Sequence, residues 1–284
     1  MTANAIRATA GPGPESHPGP AGSGPDGHVV IDGVGKTFRR AGRATVAIAD
    51  VSLQVTAGEL VCLLGPSGCG KSTLLRIVAG ALRADRGTVT VGGRPVAGPA
   101  PDRGMLFQNP MLFPWLTTRG NVLFGPKAQR AARRDDRDDP ELADEADAIL
   151  ATVGLAEFGD AFPHELSGGM QHRAAFARAM MTRPSVLLMD EPFGALDGFS
   201  RLRMHEFLLA MREQWQITII FVTHDIEEAV LLGDRVAIMG GRPPGIREII
   251  DVPLARPRNA LDVDTPEFVA VKHGIRVSIA NSGV

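Results

Sequence analysis

Apolar positions along the chain change period several times, and the changes mark out its elements. Residues 28–31, 46–55, 60–64 and 87–91 form short alternating or continuous apolar runs separated by Gly-containing turns. Such runs predict an antiparallel layer plus one strand, Leu60–Leu64, buried on both faces. Beyond a Gly-rich loop, Leu74, Leu75, Ile77, Val78 and Leu82 recur at helical spacing. Between residues 121 and 159 the pattern is helical and rich in charge. From Ser185 onward, apolar runs at 186–189, 217–222 and 235–239 alternate with helical stretches. That is the α/β pattern of a parallel sheet. The last residues, from about 254, read as a short tail closing on a helix.

The two ends and the charges add limits. Residues 1–27 are rich in Gly and Pro and nearly devoid of large apolar side chains, so they cannot bury enough surface to offset their ordering entropy and are expected to be a disordered tail. No apolar run approaches the roughly 18–20 residues needed to span a bilayer. The N-terminal stretch also lacks the charged start and apolar core of a secretory signal. A cytosolic protein is expected unless something holds it at a membrane. With 30 Lys+Arg against 32 Asp+Glu, no global field argues for nucleic acid. The run of residues 133–139 mixes both signs and reads as a solvated helix end or loop. Cys62 and Cys69 form neither a disulfide framework nor a metal spacing, which fits a reducing compartment.

The candidate chemistry begins with Gly65-Pro66-Ser67-Gly68-Cys69-Gly70-Lys71-Ser72, which matches G-x-x-x-x-G-K-[ST]. An apolar strand runs in and a helical pattern runs out through Thr73. By average residue usage, a chain this long shows the pattern by chance roughly once in a hundred. The glycines let backbone N–H groups turn inward around phosphate oxygens, and the helix start adds its partial positive charge. Lys71 is expected to neutralise the β- and γ-phosphates of ATP, and the Ser72 hydroxyl to ligate Mg²⁺. Further along, Val186-Leu187-Leu188-Met189-Asp190-Glu191 reads as a buried strand ending in two carboxylates. Open α/β sheets bind ligands at that edge. There Asp190 is expected to hold the metal and Glu191 to orient the attacking water.

Between these motifs lies Leu166-Ser167-Gly168-Gly169-Met170-Gln171. In isolation a Ser N-cap followed by Gly would look the same. In this order, it resembles the LSGGQ-type signature of ATP-binding cassette (ABC) ATPases, with Met170 in place of the usual glutamine. The resemblance covers about residues 28–252. It implies that Gln108 is a glutamine loop touching metal and water, that Asp197 in Ala195-Leu196-Asp197 is a loop crossing to a partner subunit, and that His224 is a switch histidine steadying Glu191. It also implies that Ser167, Gly168 and Gly169 meet the ATP held by an opposite subunit. Phe38 sits where the family stacks an aromatic ring on adenine, although an ordinary strand residue would look alike.

The fold so implied is α/β, a P-loop NTPase core with a mostly parallel sheet, an antiparallel β subdomain and a helical signature subdomain at about 109–182, followed by a short C-terminal extension at 253–284. Leu112-Phe113-Pro114-Trp115-Leu116-Thr117, Phe162-Pro163-His164-Glu165, Glu191-Pro192-Phe193-Gly194 and Thr223-His224-Asp225-Ile226-Glu227-Glu228-Ala229 resemble the nitrate/sulfonate/taurine importer branch. What the resemblance implies is an ATPase with ATP and Mg²⁺ as its cofactors, working as a homodimer. Its partners would be integral membrane permease subunits and, indirectly, an extracytoplasmic solute-binding protein, with no nucleic acid. Its place would be peripheral, on the cytoplasmic face of the cell (inner) membrane. The branch leaves nitrate, sulfonate, taurine, aromatic, pyrimidine-type and other small solutes open. The rival classes are a soluble ABC ATPase acting on DNA or ribosomes, and an exporter. Against them stand the absence of a long coiled-coil insertion, the single cassette and the lack of a fused membrane segment.

Overall fold

A computed structural model describes residues 27–40, 43–132 and 140–281. The charge run at 133–139 and nearly all of the expected tail lie outside these residues. Gly27, the last residue assigned to that tail, already belongs to the fold: it is buried, and a Cβ there would come within 2.5 Å of Thr218 Oγ1.

Among the described residues, ten strands form two sheets. An antiparallel sheet holds β1 (Val29–Arg40), β2 (Arg43–Val55), β4 (Arg86–Val91) and β5 (Arg94–Pro95) in the order β2-β1-β4-β5. The six-stranded sheet has the order β10-β9-β3-β8-β7-β6, from β3 (Leu60–Leu64), β6 (Arg103–Phe107), β7 (Val186–Asp190), β8 (Thr218–Thr223), β9 (Arg235–Gly240) and β10 (Gly245–Asp251). Its strands are parallel except for β10. The α/β class with both kinds of sheet is therefore as the sequence implies.

Two bounds differ from expectation. β1 continues past Ile31 to Arg40 because bulges around Val34–Lys36 absorb its glycines without ending the pairing with β2. Helix α1 (Lys71–Val78) stops before Leu82, which packs from the following turn.

Side-chain alternation explains the continuous apolar runs. Leu60, Cys62 and Leu64 of β3 face one core, while Val61 and Leu63 face another. The same parity holds on β7, β8 and β9, with Phe221 and Ile238 on the first side and Val222 and Met239 on the second. A sheet covered on both faces needs no polar face, so its strands lose their alternation in sequence. The second core lies under the antiparallel sheet and α1. The first lies under α2 (Thr118–Ala132), α3 (Pro140–Thr152), α4 (Gly168–Met180), α5 (Gly198–Trp215), α6 (Ile226–Leu232) and α7 (Pro266–Asn281). Helices α2 to α4 are inserted between neighbouring strands β6 and β7.

Candidate nucleotide site

The parallel register assembles the site. Leu64 lies beside Thr223, Val222 beside Asp190, and Asp190 beside Phe107. The residues that follow each strand, Gly65, His224, Glu191 and Gln108, therefore leave the sheet at one edge. Gln108 and Glu191 open onto a cleft of about 780 Å³ that Ser67, Ser72, Asp190 and Gly168 also help to line.

The phosphate loop is held closely. Gly65 is buried, and a Cβ on it would sit 2.1 Å from the Met239 carbonyl oxygen of β9. Gly70 has φ +101°, and a Cβ there would meet the Ala47 carbonyl oxygen at 2.4 Å. Both positions require glycine, the first for close approach and the second for its dihedral as well. Pro66, Ser67 and Gly68 are exposed, whereas Cys69 is buried against Gly65 and burial pushes its thiol pKa up. Thr73 lies in the first turn of α1.

Lys71, only 4% exposed, donates to the carbonyls of Gly65 (2.6 Å) and Pro66 (3.0 Å), and its ammonium lies 4.0 Å from Glu191 Oε1. The other oxygen of that carboxylate, Oε2, is 3.0 Å from His224 Nδ1. Ser72 Oγ donates to Asp190 Oδ1 at 2.7 Å. Gly194 lies between Gln108 and Glu191, since a Cβ there would be 3.3 Å from Gln108 Nε2 and 3.8 Å from Glu191 Oε2. Glu191 itself has φ +46°, and its N–H donates to the Val222 carbonyl of β8. A left-handed conformation at a residue with a long side chain stores strain.

The structure does not bring every expected residue into this cluster. Ser167 and Asp197 act within the chain as N-caps, of α4 through Met170 N–H (3.4 Å) and of α5 through Ser200 N–H (3.0 Å). Bonds from Ser200 hold the Asp197 carboxyl below the usual range. Gly169 faces open space. Phe38 is 44% exposed on β1, paired with Thr45 of β2, the strand whose Ala47 touches the loop, and Lys36 Nζ lies 5.8 Å from the centre of its ring.

Three buried polar residues near the site were given no role by the sequence reading, Glu228 appearing there only as part of a motif. His172 of α4 places its ring nitrogens 2.8 Å from the Gly168 carbonyl and 3.3 Å from that of Gln108, tying the signature helix to the glutamine loop. His205 of α5 and Glu228 of α6 pair at 2.7 Å. Their only signal was a charged or polar residue on a helix, which reads as a solvated face.

A metal at this site fits the chemistry present. The Ser72 hydroxyl, the Asp190 carboxylate and the Gln108 amide offer oxygen only, as a hard cation prefers. Among the described residues no group of three or more His, Cys, Asp or Glu could cage an ion without further ligands.

Comparison with known proteins agrees with this geometry. The sequence profile described as "ABC transporter" matches residues 48–194. The nitrate import ATP-binding protein NrtD of Synechocystis sp. is 44% identical over 227 residues, covering 80% of this chain and 83% of that protein. The aliphatic sulfonates import ATP-binding protein SsuB of Bacillus subtilis is 40% identical over 240 residues, covering 84% and 89%. In three dimensions, a dimeric post-hydrolysis ATP-binding cassette bound to ADP and Pi superposes with a TM-score of 0.69 at 28% identity, covering 80% of this chain and all of that one. The chain therefore belongs to the ABC transporter family, as one of its ATP-hydrolysing cassettes.

Proposed function

We propose that this chain energises a membrane importer for a small anionic solute of the nitrate or sulfonate class, working as one of two identical cassettes. The observation that carries the reading is the convergence of Lys71, Ser72–Asp190 and Glu191–His224 on one sheet edge. The import names of its relatives support the solute class. Each ATP would lie between Lys71 of one copy and Ser167, Gly168, Gly169 and Asp197 of the other. Helix α4, started by Ser167, would direct its N-terminal amides at the γ-phosphate.

In this reading Lys71 exchanges its loop carbonyls for the β- and γ-phosphates, and the backbone N–H groups of residues 65–73 surround them. Ser72, Asp190 and Gln108 would hold Mg²⁺, which when bound would supply neutralisation of phosphate charge. His224 fixes Oε2 of Glu191, which leaves Oε1, the oxygen facing Lys71, to orient the attacking water and draw its proton. Phe38 stacks on adenine, where the loss of a base–aromatic contact costs about 1–3 kcal/mol. Phe38→Ala should weaken ATP binding by about tenfold in a fluorescent-nucleotide titration, and Phe38→Trp should preserve it. Equal affinity in all three proteins would remove Phe38 from the site.

Permease contact is assigned to the glutamine-loop face. Trp115 is 69% exposed, and Met111 is exposed too. Phe113 packs on Trp115 (5.4 Å) and Phe124 (4.3 Å), with the Arg178 guanidinium over its ring. Arg178 also holds the carbonyls of Met111 (2.6 Å) and Pro110 (2.9 Å), so this apolar face is fixed in place. No helix among the described residues is long and apolar enough to cross a membrane, and a peripheral place on the cytoplasmic face of the inner membrane fits that. No nucleic-acid partner and an indirect extracytoplasmic solute-binding partner complete the reading. The test is co-purification of a polytopic membrane protein with the wild-type chain. Trp115→Ala should lower that recovery and solute uptake at least about fivefold, as loss of an aromatic anchor does. Hydrolysis by the isolated chain should be unchanged. Recovery with ribosomes and no membrane protein would overturn the import reading.

A further inference from the structure

Behind Glu191 and His224 lies a buried scaffold that the roles above leave unused. The His224 ring is exposed, so its aim at Glu191 depends on the turn between Thr223 and Asp225. That turn is tied on both sides. The Thr223 hydroxyl accepts the Asp225 N–H at 3.0 Å and donates to Oε2 of Glu228. Asp225 in turn accepts the N–H groups of Glu227 and Glu228, starting α6. The other Glu228 oxygen, Oε1, meets His205 Nε2 of α5 at 2.7 Å. Glu228 is 7% exposed and His205 8%. A carboxylate so enclosed keeps one geometry only while its partners remain, because an unpaired buried charge is costly. The same imidazole also reaches the Glu191 side of the site. Phe193, two residues after Glu191, meets the His205 ring at 5.7 Å and Phe221 of β8 at 5.8 Å.

We propose that His205 is a positioning residue for ATP hydrolysis. It holds Glu228 so that Thr223 fixes the turn aiming His224 at Glu191, a role that rests on reading those two as the hydrolytic pair. One consequence concerns the partner copy. Helix α5 begins just after Asp197, and His205 lies eight residues beyond that cap, about 12 Å along the axis. A push on the start of α5 by a second copy is thereby delivered, through His205, Glu228 and Thr223, to His224.

The test uses the full-length chain. His205→Leu removes the ring nitrogen facing Glu228, while His205→Gln returns an amide near its position. His205→Leu is expected to lower kcat by about tenfold with KM for ATP within about twofold, the pattern of a lost transition-state interaction. His205→Gln is expected to restore most of kcat. In a His224→Ala background, the same Leu substitution should lower kcat no further, because residues acting as a unit are non-additive. Should His205→Leu fail to fold, Thr223→Val, which removes the hydroxyl at the other end of the chain of contacts, carries the same expectation. An equal loss in both backgrounds, or a lowered Tm with unchanged kcat, would show packing alone and overturn the proposal. Glu191→Gln is the control. If it turns over ATP like wild type, the reading of the pair fails and takes this inference with it. If it is inactive while His205→Leu and Thr223→Val match wild type, the positioning role alone fails.

Discussion

Replacing Glu191 by Gln is expected to lower ATP turnover by about 10²–10⁴-fold, the range for losing a positioned general base, while nucleotide still binds. The substitution keeps the length and planarity of the side chain. Its amide oxygen can still accept from His224, now 3.0 Å from Oε2, so the loop and φ +46° at this residue have no reason to change. What is lost is the negative charge beside Lys71, 4.0 Å away, and with it the base for the attacking water. Removing that charge frees Lys71 to serve phosphate, so affinity should hold or rise. Phosphate release under saturating ATP reads the rate, and a fluorescent-nucleotide titration reads the binding. Near-wild-type turnover would end the role given to Glu191. Loss of binding along with turnover would place Glu191 in the phosphate cradle instead.

The second large effect concerns stability. Arg258, 6% exposed, donates to five backbone carbonyls: Val230, Leu231 and Gly233 around the end of α6, and Val252 and Leu254 after β10. Helix ends leave orphan carbonyls that must be satisfied, and here one guanidinium satisfies several while tying the C-terminal extension to the core. Burial pushes its pKa down to about 10, so it stays charged at neutral pH. Arg258→Met fills the volume but removes this donor from all five oxygens, of which Val252 still accepts the Leu254 N–H, at about 1–3 kcal/mol for each one left unsatisfied where water cannot reach. A total near 3–5 kcal/mol is expected, which lowers Tm by roughly 10 °C for a chain of this size. Arg258→Lys, a point charge without the planar fork, should fall between. Thermal and urea unfolding of the three proteins measure it. A loss under about 1 kcal/mol would mean that the extension is held by α7, through Phe268 and Ile275, and not by this arginine.

What could be read from the sequence follows from where each strand sits in its sheet. β3, β7, β8 and β9 are interior and covered on both faces, so each is an unbroken apolar run. Within the six-stranded sheet the strands not anticipated, β6 and β10, are its two edges. An edge strand has one neighbour and tolerates charge. Arg103 and Gly104 in β6, and Arg247 and Glu248 in β10, dilute the pattern accordingly. The site residues stood out because Gly65, Glu191 and His224 each follow one of those interior runs, and chemistry punctuates the pattern there. His172 and His205 did not stand out, and Glu228 did so only within a motif, with no role of its own. Each is a polar residue buried by a neighbour distant in sequence: Gln108 for His172, and His205 and Glu228 for each other. Helical periodicity carries no mark of such a partner.

The left-handed backbone at Glu191 sets stability against reach. An ordinary residue held there costs on the order of 1 kcal/mol, and asparagine or glycine would relax it. Either would also withdraw the carboxylate from the space between Lys71 and His224. At this one position a firmer fold and the proposed hydrolytic role ask for different residues, and the chain carries the glutamate.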